Sequence, residues 1–576
     1  MKLAEALSII RNGAGDGPAF PVLLACGFTP LHLGNYLGAH LQQALPTRKV
    51  QVKTGLYDDV AGTLEQFAVS EAQAAVVALE WADLDARLGF RQLGGWGQRV
   101  AGSVLDASSA KLKRVEAAIV AVPSSSRLAV SLPTLPLPPA FHTAGWQASE
   151  AELALEELVA AFARRIAAHP AVLLVNRQAL DSVSPPETRY DLRSDLHTGF
   201  PYKMAHADAL GLALARLIHP PEPKKGLITD LDDTLWAGLV GEVEQDGVSW
   251  DLASHSQLHG LYQQQLRALA EQGVLVAVAS KNGREIVERA LARPDLAMAR
   301  DKMFPLEVHW EAKSGSVERI LKAWNVAADS VVFVDDSPME LEEVKAGHPG
   351  IECIRFPKGD YPAGLALLRR LRDLFGKARL SEEDAYRLES IRQGQDFQAV
   401  GESAGGAENF LATAEATITL EYNPPATDRR VVELVNKTNQ FNLNGIRYTE
   451  AEWHALLQEA NSFAVAVSYQ DKFGPLGKVA VVRGAHDENG VRIHTWVMSC
   501  RAFSRRIEYR CLREIFERYG AHEIVLDLKP TSKNAPAQDF LSKLLGHTVA
   551  SEVRLARDVF EASCPVLYHA VREKNG

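Results

Sequence analysis

The first two thirds of the chain alternate short apolar runs with amphipathic stretches. Within residues 1–218, apolar runs rich in β-branched residues predict buried parallel strands, with the sequences PVLLACGF, AAVVALEW, VEAAIVAVP and AVLLVN. The stretch 148–169 places leucines and alanines on one face and charges on the other, which predicts a helix. Repeated alternation of strands and helices indicates a layered α/β fold.

A second α/β pattern follows the proline- and lysine-rich segment 219–226, HPPEPKKG, which we interpret as a linker. Within 222–375 the predicted strands are GLITDLDD, VLVAVASK, SVVFVDDS and IECIRFP. Each run is short, apolar and bounded by polar residues, as expected of strands in a parallel sheet.

The last third has a different pattern. Residues 376–409 are polar and helix-prone and end in a glycine-rich stretch, which predicts a helical linker with a hinge. Within 410–576 mostly antiparallel strands are predicted in ATITLEY, FAVAVSYQ, KVAVVRG and RIHTWVMSC. The sequence therefore predicts an α/β multidomain protein with folded domains at 1–218, 222–375 and 410–576.

Composition narrows the classes of protein that the chain can belong to. Its 576 residues are too many for one core, and 47% hydrophobic with 23% charged residues is typical of soluble globular proteins. A net charge of −10 argues against broad nucleic-acid binding. No apolar run is long enough to cross a bilayer, and the five cysteines form no CxxC pair, so we expect a cytoplasmic protein without a membrane partner.

The strongest chemical signal is a group of carboxylates at the end of the apolar run GLITDLDDTLW. Asp230, Asp232 and Asp233 would repel one another there unless a cation neutralised them. Ligand chemistry in α/β sheets collects at the carboxyl ends of strands, and Mg²⁺ prefers carboxylate oxygens and substrate phosphates. The pattern predicts a Mg²⁺-assisted phosphoryl-transfer site in which an aspartate is the covalent nucleophile.

Other predicted strands of the same segment also end in polar residues. VLVAVASK ends in Ser280 and Lys281, SVVFVDDS contains Asp335 and Asp336, and Lys313 lies between them in the sequence. A serine can hydrogen-bond a transferring phosphoryl oxygen, and a lysine can balance its charge. Capping of exposed strand ends is the alternative, but four polar segments in this order favour the phosphoryl site.

These four segments resemble the motifs of the haloacid dehalogenase (HAD) phosphotransferase superfamily, with DLDDT first and VDDSPMELEEV last. The resemblance implies a Rossmann-like fold, with Asp230 as nucleophile and Asp232 as general acid/base whose backbone carbonyl also binds Mg²⁺. It implies Asp335 as a further metal ligand and Asp336 as its partner in the metal site. The short intervals between the motifs predict no large cap domain and an open site.

The motif surroundings narrow the resemblance. DLDDTLWAGLVGE, the SKN at 280–282 and HWEAKSGSV resemble the FkbH-like branch of the superfamily. VNKTNQFNLNGIRYTEAE, TWVMSCRAFSRRIE and LKPTSKNAPAQDFLSKLLG resemble the acyltransferase-like (GNAT-fold) region that accompanies it. The resemblance implies that D-1,3-bisphosphoglycerate, a phosphorylated three-carbon metabolite, is dephosphorylated and loaded as a glyceryl thioester onto the phosphopantetheine of an acyl carrier protein. The resemblance also implies a place in polyketide biosynthesis.

That resemblance implies a thiol that holds the acyl group, and Cys500 beside Arg501 is the candidate, with ordinary packing as the alternative. The segment 501–506 lacks the glycines with which acetyltransferases bind the pyrophosphate of their cofactor, which disfavours acetyl-CoA-dependent acetylation. Arg501, Arg505 and Arg506 could bind the phosphopantetheine phosphate or an acidic carrier, or could form a solvated helix start.

The first segment contains FTPLHLGNYLGAHL, which resembles the opening of SGNH-hydrolase-like domains. The sequence Gly27-Phe28-Thr29 stands where a nucleophilic serine motif is expected, and Asp195 and His197 form only a weak downstream pair. We therefore favour a noncatalytic recognition or docking domain over an active esterase. A phosphatase for another metabolite and a carrier-binding adaptor without chemistry remain alternatives for the whole protein.

Overall fold

The structure of the protein is a computed structural model. It describes the chain except residues 14, 16, 68–69, 125, 140–142, 378–387, 389–390, 393–405, 426–427, 439, 473, 488–489, 500–501, 504, 532–533, 550 and 576. The chain forms two compact units, Met1–Pro221 and Glu222–Gly576. Most of the segment 376–409, predicted as a helical linker, lies outside the described residues.

The first unit contains a five-stranded sheet with the order β2-β1-β3-β4-β5, in which every neighbouring pair is parallel. Its strands are β1 Ala19–Cys26, β2 Lys49–Thr54, β3 Ala74–Ala78, β4 Arg127–Ser131 and β5 Val172–Leu174. Its helices are α1 Leu3–Arg11, α2 Leu31–Ala44, α3 Val60–Glu65, α4 Trp81–Leu84, α5 Ala101–Val120, α6 Glu150–Ile166, α7 Arg177–Val183, α8 Leu192–Thr198 and α9 Met204–Ile218. Alternate strand residues pack into separate apolar clusters on the two faces of the sheet.

One predicted strand of this unit is wrong. The run VEAAIVAVP begins inside α5, and the strand follows later, as β4. Val115 and Ile119 are fully buried and four residues apart, so the run supplies the apolar face of a helix. A short apolar run does not by itself distinguish a buried helix end from a buried strand.

The second unit begins with another five-stranded parallel sheet, of order β10-β9-β6-β7-β8. Its strands are β6 Gly226–Thr229, β7 Leu275–Ser280, β8 Met303–Val308, β9 Val331–Asp335 and β10 Glu352–Arg355. Its helices are α10 Val240–Gly247, α11 Gln257–Glu271, α12 Arg284–Leu291, α13 Lys313–Trp324, α14 Pro338–Gly347 and α15 Tyr361–Phe375. The interval between β6 and β7 forms α10 and α11, which agrees with the expectation that no large cap is inserted there.

Strand β8 was not predicted from the sequence. It contains Pro305 and Glu307 and forms the edge of the sheet, pairing with β7 through an irregular register. Proline is tolerated at a sheet edge because one side of the strand needs no ladder hydrogen bonds. These residues interrupt the apolar run by which the other four strands were recognised.

The remainder of the second unit is built on a mixed eight-stranded sheet, in which β17-β16-β15-β14-β13-β11-β18 are neighbours and β12 pairs with β15. The pairings of β11 with β13, β13 with β14 and β14 with β15 are antiparallel, as predicted. The strands are β11 Thr417–Tyr422, β12 Phe441–Asn442, β13 Ser462–Asp471, β14 Gly474–Asp487, β15 Gly490–Met498, β16 Glu523–Leu526, β17 Val553–Ala556 and β18 Ala570–Asn575. The helices are α16 Gly406–Thr413, α17 Arg429–Lys437, α18 Glu450–Leu457, α19 Ile507–Tyr519, α20 Ala535–Leu545 and α21 Arg557–Ser563.

The architecture as a whole is α/β with several sheets, as the sequence pattern predicts. Within the part of the chain that the structure describes, no helix has both the length and the apolar character needed to cross a membrane.

Candidate active site

Three neighbouring strands of the second parallel sheet deliver polar residues to the same edge. Asp230 directly follows β6, Ser280 ends β7 and Asp335 ends β9, and β6 lies between the other two strands. The backbone N–H of Asp230 donates to the carbonyl of Val334 at 3.0 Å, which continues the pairing of β6 and β9 up to the site. Parallel strands place their carboxyl ends together, so residues distant in sequence meet here.

The centre of the site is the ammonium of Lys313, the first residue of α13. Its Nζ lies 2.6 Å from Asp335 Oδ2 and 3.0 Å from Asp230 Oδ1, and it also forms an ion pair with Glu340. Lys313 is 2% exposed and Asp335 is fully buried. A buried lysine therefore compensates the charge of three carboxylates that converge from β6, β9 and α14.

Burial and the mutual repulsion of the carboxylates shift the pKa values of this cluster. Burial raises the pKa of Asp230 above its usual range despite the nearby ammonium, and burial together with the charge of Asp230 does the same for Asp335. Burial would lower the pKa of Lys313, but the three carboxylates outweigh it and raise that pKa. Burial would raise the pKa of Glu340, but Lys313 and Lys281 hold it below its usual range. Ionising Asp230 and Asp335 together is therefore unfavourable unless further positive charge is supplied.

The cluster fits a hard divalent cation. Asp230, Asp335 and Glu340 can each offer one oxygen, and these oxygens lie within 4.8 Å of one another. Asp230 Oδ1 is buried, and among the described residues its close partner is the Lys313 ammonium at 3.0 Å. Closely spaced carboxylate oxygens with an available lone pair are the ligands that Mg²⁺ binds.

The side chain of Asp232 is oriented by three donors. Its Oδ1 accepts from the Trp236 indole at 2.9 Å and from the backbone N–H of Val240 at 3.1 Å. Its Oδ2 accepts from the Asn282 amide at 3.0 Å, and the same amide nitrogen donates to Ser280 Oγ at 3.1 Å. Asn282 thus links two of the predicted site residues and holds the Asp232 carboxylate in one orientation.

Asp336, predicted as a partner in the metal site, is not among the three carboxylates that share the cation-binding geometry. It is half-buried, and burial followed by the charge of Asp233 raises its pKa. Asp233 is held elsewhere, since it pairs with Lys358 and accepts from the backbone N–H of Gly238 at 2.9 Å.

Glu340 is a site residue that the sequence analysis did not single out. It lies in the first turn of α14, which begins directly after β9, and it pairs with both Lys313 and Lys281. Its signal was present in the quoted segment VDDSPMELEEV, where an acid follows the strand-end pair at the start of a predicted helix. Nothing in the spacing alone shows that this glutamate, rather than Asp336, points to the lysine.

The predicted residues of the C-terminal region are not brought to this cluster. Cys500 and Arg501 lie outside the described residues. Arg505 is 3% exposed, lies over the ring of Tyr469 and is 3.8 Å from Asp471 Oδ2. Arg506 pairs with Glu408 and donates to the Val566 carbonyl at 2.7 Å. Their binding of a phosphopantetheine phosphate stays a prediction.

In the first unit, Asp195 and His197 lie on the same short helix, α8, but differ in environment. Asp195 is buried and accepts from the Tyr190 hydroxyl at 2.7 Å, whereas His197 is exposed. Thr29 donates its hydroxyl to the Thr198 carbonyl at 2.8 Å.

Comparison with known proteins gives a fold. No protein-family model and no curated protein matches the chain. The solved N-terminal part of the protein BF1531 from Bacteroides fragilis, described as containing a phosphatase domain complexed with Mg, aligns over 66% of this chain and 100% of its own, at 18% identity and a TM-score of 0.52. An uncharacterized protein from Corynebacterium glutamicum aligns over 27% of this chain and 98% of its own, at 15% identity and a TM-score of 0.19, which is too low to support a conclusion. The first likeness is in fold, and it agrees with the parallel α/β architecture.

Proposed function

We propose that the protein is a Mg²⁺-dependent phosphatase or phosphotransferase of the HAD type, with Asp230 as its nucleophile. The observation that carries the proposal is the convergence of Asp230, Asp335 and Glu340 on the buried ammonium of Lys313. The structural neighbour from Bacteroides fragilis supports it, since that protein is described as containing a phosphatase domain with Mg.

The mechanism uses residues whose geometry is defined. An oxygen of Asp230 attacks phosphorus, the bond from phosphorus to the leaving oxygen breaks, and Asp232 gives that oxygen a proton. Water then attacks phosphorus, Asp232 takes a proton from it, and the bond from phosphorus to Asp230 breaks to release phosphate. Lys313 and Ser280 stabilise the phosphoryl oxygens, while Mg²⁺ held by Asp230, Asp335 and Glu340 would neutralise negative charge on the substrate.

The electrostatics support this division of roles. Asp230 must be ionised to attack, and burial opposes ionisation, so the nearby ammonium and a divalent cation both favour the reactive form. Asp232 is held by the donors of Trp236, Val240 and Asn282, which gives its proton transfers a defined direction.

A first experiment tests the phosphatase. Purified protein is assayed with p-nitrophenyl phosphate and a panel of phosphorylated metabolites, with Mg²⁺ or with a chelator. We expect Asp230→Asn to lower turnover by roughly 10³-fold or more, because it removes the nucleophile. Asp373→Asn, at an exposed position on α15, is the matched control and should retain activity. Equal activity in the two variants would contradict the role of Asp230.

We further propose that the substrate is D-1,3-bisphosphoglycerate and that the glyceryl unit is loaded onto a holo-acyl carrier protein. The motif resemblance supports this assignment, and so does the substrate's chemistry, since an acyl phosphate is activated for thiolate attack and the other end is a phosphomonoester. In that scheme the thiolate of Cys500 attacks the acyl carbon and displaces phosphate. The carrier thiolate then displaces Cys500.

Intact-mass measurement tests the loading reaction. Protein, Mg²⁺, D-1,3-bisphosphoglycerate and holo-carrier are expected to yield a three-carbon adduct on the carrier, and Cys500→Ser should remove the enzyme-bound acyl intermediate. Phosphatase activity without an adduct on any of several carriers would restrict the protein to hydrolysis of another metabolite. Carrier binding without any hydrolysis would identify an adaptor, which the intact Asp230 and Lys313 cluster disfavours.

A further inference from the structure

The first unit contains a cavity that the proposed function does not use. It has a volume of about 240 Å³ and includes residues that directly follow β1 and β3. A cavity of this size suits a small metabolite. Its lining includes five aromatic side chains, Phe28, Tyr57, Trp81, Phe90 and Tyr190.

The rings are held in place by the protein itself. Phe90 stacks on Tyr190 with ring centroids 5.1 Å apart. It also forms a T-shaped contact with Trp96, with ring centroids 5.7 Å apart. The Trp81 indole donates to the Leu135 carbonyl at 2.9 Å. The aromatic wall is therefore largely formed before any ligand enters, which lowers the entropic cost of binding.

A buried carboxylate with an available oxygen also lines the cavity. Asp83 is 6% exposed, and its Oδ2 accepts from the backbone N–H of Glu80 at 2.8 Å. Its Oδ1 accepts no hydrogen bond from any residue that the structure describes, and a Cβ added at Gly27 would lie 2.0 Å from it. Burial, together with the charges of Glu80 and Asp58, raises the pKa of Asp83 to about 7.

The other two buried acids in the lining have donors of their own. Glu80 accepts from Thr134, from the Leu135 backbone and from the Tyr202 hydroxyl, and Asp195 accepts from Tyr190. Asp83 is therefore the buried acid in the lining that has an oxygen available to accept a hydrogen bond from a ligand.

The arginine in the lining, Arg91, interacts with Tyr57 rather than with Asp83. The Arg91 guanidinium donates to the Tyr57 hydroxyl and lies 5.9 Å from the centre of the same ring. Four acids, Asp58, Glu80, Asp83 and Asp195, line the cavity alongside this arginine. A cationic ligand would stabilise the charged forms of these acids.

Side chains beside the cavity that could act as nucleophiles are engaged as well. Burial raises the pKa of the Cys26 thiol, and its Sγ donates to the Phe28 carbonyl at 3.4 Å. Thr29 donates to the Thr198 carbonyl. These contacts favour noncovalent binding over hydrolysis, in line with the recognition role expected of this unit.

We propose that this cavity binds a small organic cation, an ammonium group on an aromatic or apolar body. The ammonium donates to Asp83 Oδ1, and the body lies among the rings of Trp81, Phe90 and Tyr190. A charged donor satisfies the buried carboxylate, and aromatic faces attract a cation in addition to burying its apolar part. This proposal is independent of the phosphatase assignment, because none of its residues belongs to the Lys313 cluster.

Three probes of similar shape test the charge of the ligand. The full-length protein is titrated by calorimetry with phenethylamine, with neutral 2-phenylethanol and with 3-phenylpropionate. We expect phenethylamine to bind at least tenfold more tightly than either of the others. Absence of phenethylamine binding at millimolar concentration would overturn the proposal, and tighter binding of 3-phenylpropionate, lost in Arg91→Met, would replace it with an anion site.

Variants then test the position of the ligand. Asp83→Asn keeps the shape and an acceptor for the Glu80 N–H, and it should weaken phenethylamine binding at least tenfold while leaving 2-phenylethanol unchanged. Phe90→Leu should weaken both probes, and it provides a second readout should Asp83→Asn fold poorly. Asp106→Asn, exposed on α5, is the matched control and should bind like the wild type. Unchanged phenethylamine affinity in both Asp83→Asn and Phe90→Leu would show that the probe binds elsewhere.

Discussion

Both parallel sheets of this protein have acids near the carboxyl ends of their strands, but these acids have different partners. At the edge of the second sheet, Asp230, Asp335 and Glu340 share one buried ammonium. At the edge of the first, Glu80 and Asp195 are each held by their own neutral donors, and Asp83 faces an aromatic cavity. In both places burial raises the pKa of an aspartate.

The difference shows that strand-end acids do not by themselves define a chemistry. A shared lysine lets several carboxylates approach one another, which creates the dense oxygen set that a divalent cation binds. Separate neutral donors keep acids apart, and aromatic walls leave room for an organic ligand instead. The two sites differ in counter-charge more than in their acids.

The largest effect should come from removing that counter-charge. Lys313→Met removes the counter-charge of the buried Asp230 and Asp335 and leaves Glu340 paired with Lys281, and we expect it to abolish phosphatase activity and to lower the free energy of unfolding by about 3–5 kcal/mol. Thermal unfolding with and without Mg²⁺ measures this, and Mg²⁺ should stabilise the variant more than the wild type. Lys322→Met, at an exposed position on the same helix, is the control. If Lys313→Met is as stable as the wild type, the lysine does not compensate the charge of these carboxylates.

A smaller effect should follow from adding a methyl group at Gly27, beside Asp83. The Cβ of Gly27→Ala would lie 2.0 Å from Asp83 Oδ1, so the carboxylate must shift, and we expect a loss of about 1–3 kcal/mol in the free energy of unfolding. Gly102→Ala is the matched control, since its Cβ on α5 would meet no atom within 4 Å. Chemical denaturation compares the two. Equal stabilities would mean that Asp83 is not confined as described.

The smallest effect is a pH dependence in the first unit. The pKa of Asp83 is raised from its model-peptide value of ~3.9 to about 7 in the folded protein, so its stabilising contribution is complete below that lower value and is lost as pH rises through about 7. Asp83→Asn should therefore gain stability relative to the wild type between pH 4 and pH 8, on the order of 1 kcal/mol or more.

Scanning calorimetry of both proteins across this range measures the trend. Asp85→Asn provides the contrast, because hydrogen bonds from Arg87 outweigh burial and hold the pKa of Asp85 below its usual range. That variant should be less stable than the wild type throughout the same interval. A constant difference between wild type and Asp83→Asn would contradict the raised pKa of the buried Asp83.

Much of the fold followed from local pattern. Four of the five strands in the second sheet were recognisable because fully buried parallel strands are continuous apolar runs, and their polar ends predicted where Asp230, Ser280 and Asp335 would meet. The exceptions have local causes. Pro305 and Glu307 interrupt β8, and the run from Val115 to Val120 has a composition that suits a helix as well as a strand.

Residue identity alone thus indicated most of the strands and their polar ends, because burial patterns are properties of short segments. Tertiary structure decided which acids share a charge. It brought Glu340 rather than Asp336 to Lys313, and it placed Gly27, Asp83 and Tyr190 around one cavity. Which side chains meet depends on how the helices are oriented and on the loops that join distant parts of the chain. The electrostatic interaction of two side chains depends on the distance between them in space rather than on their spacing in the sequence.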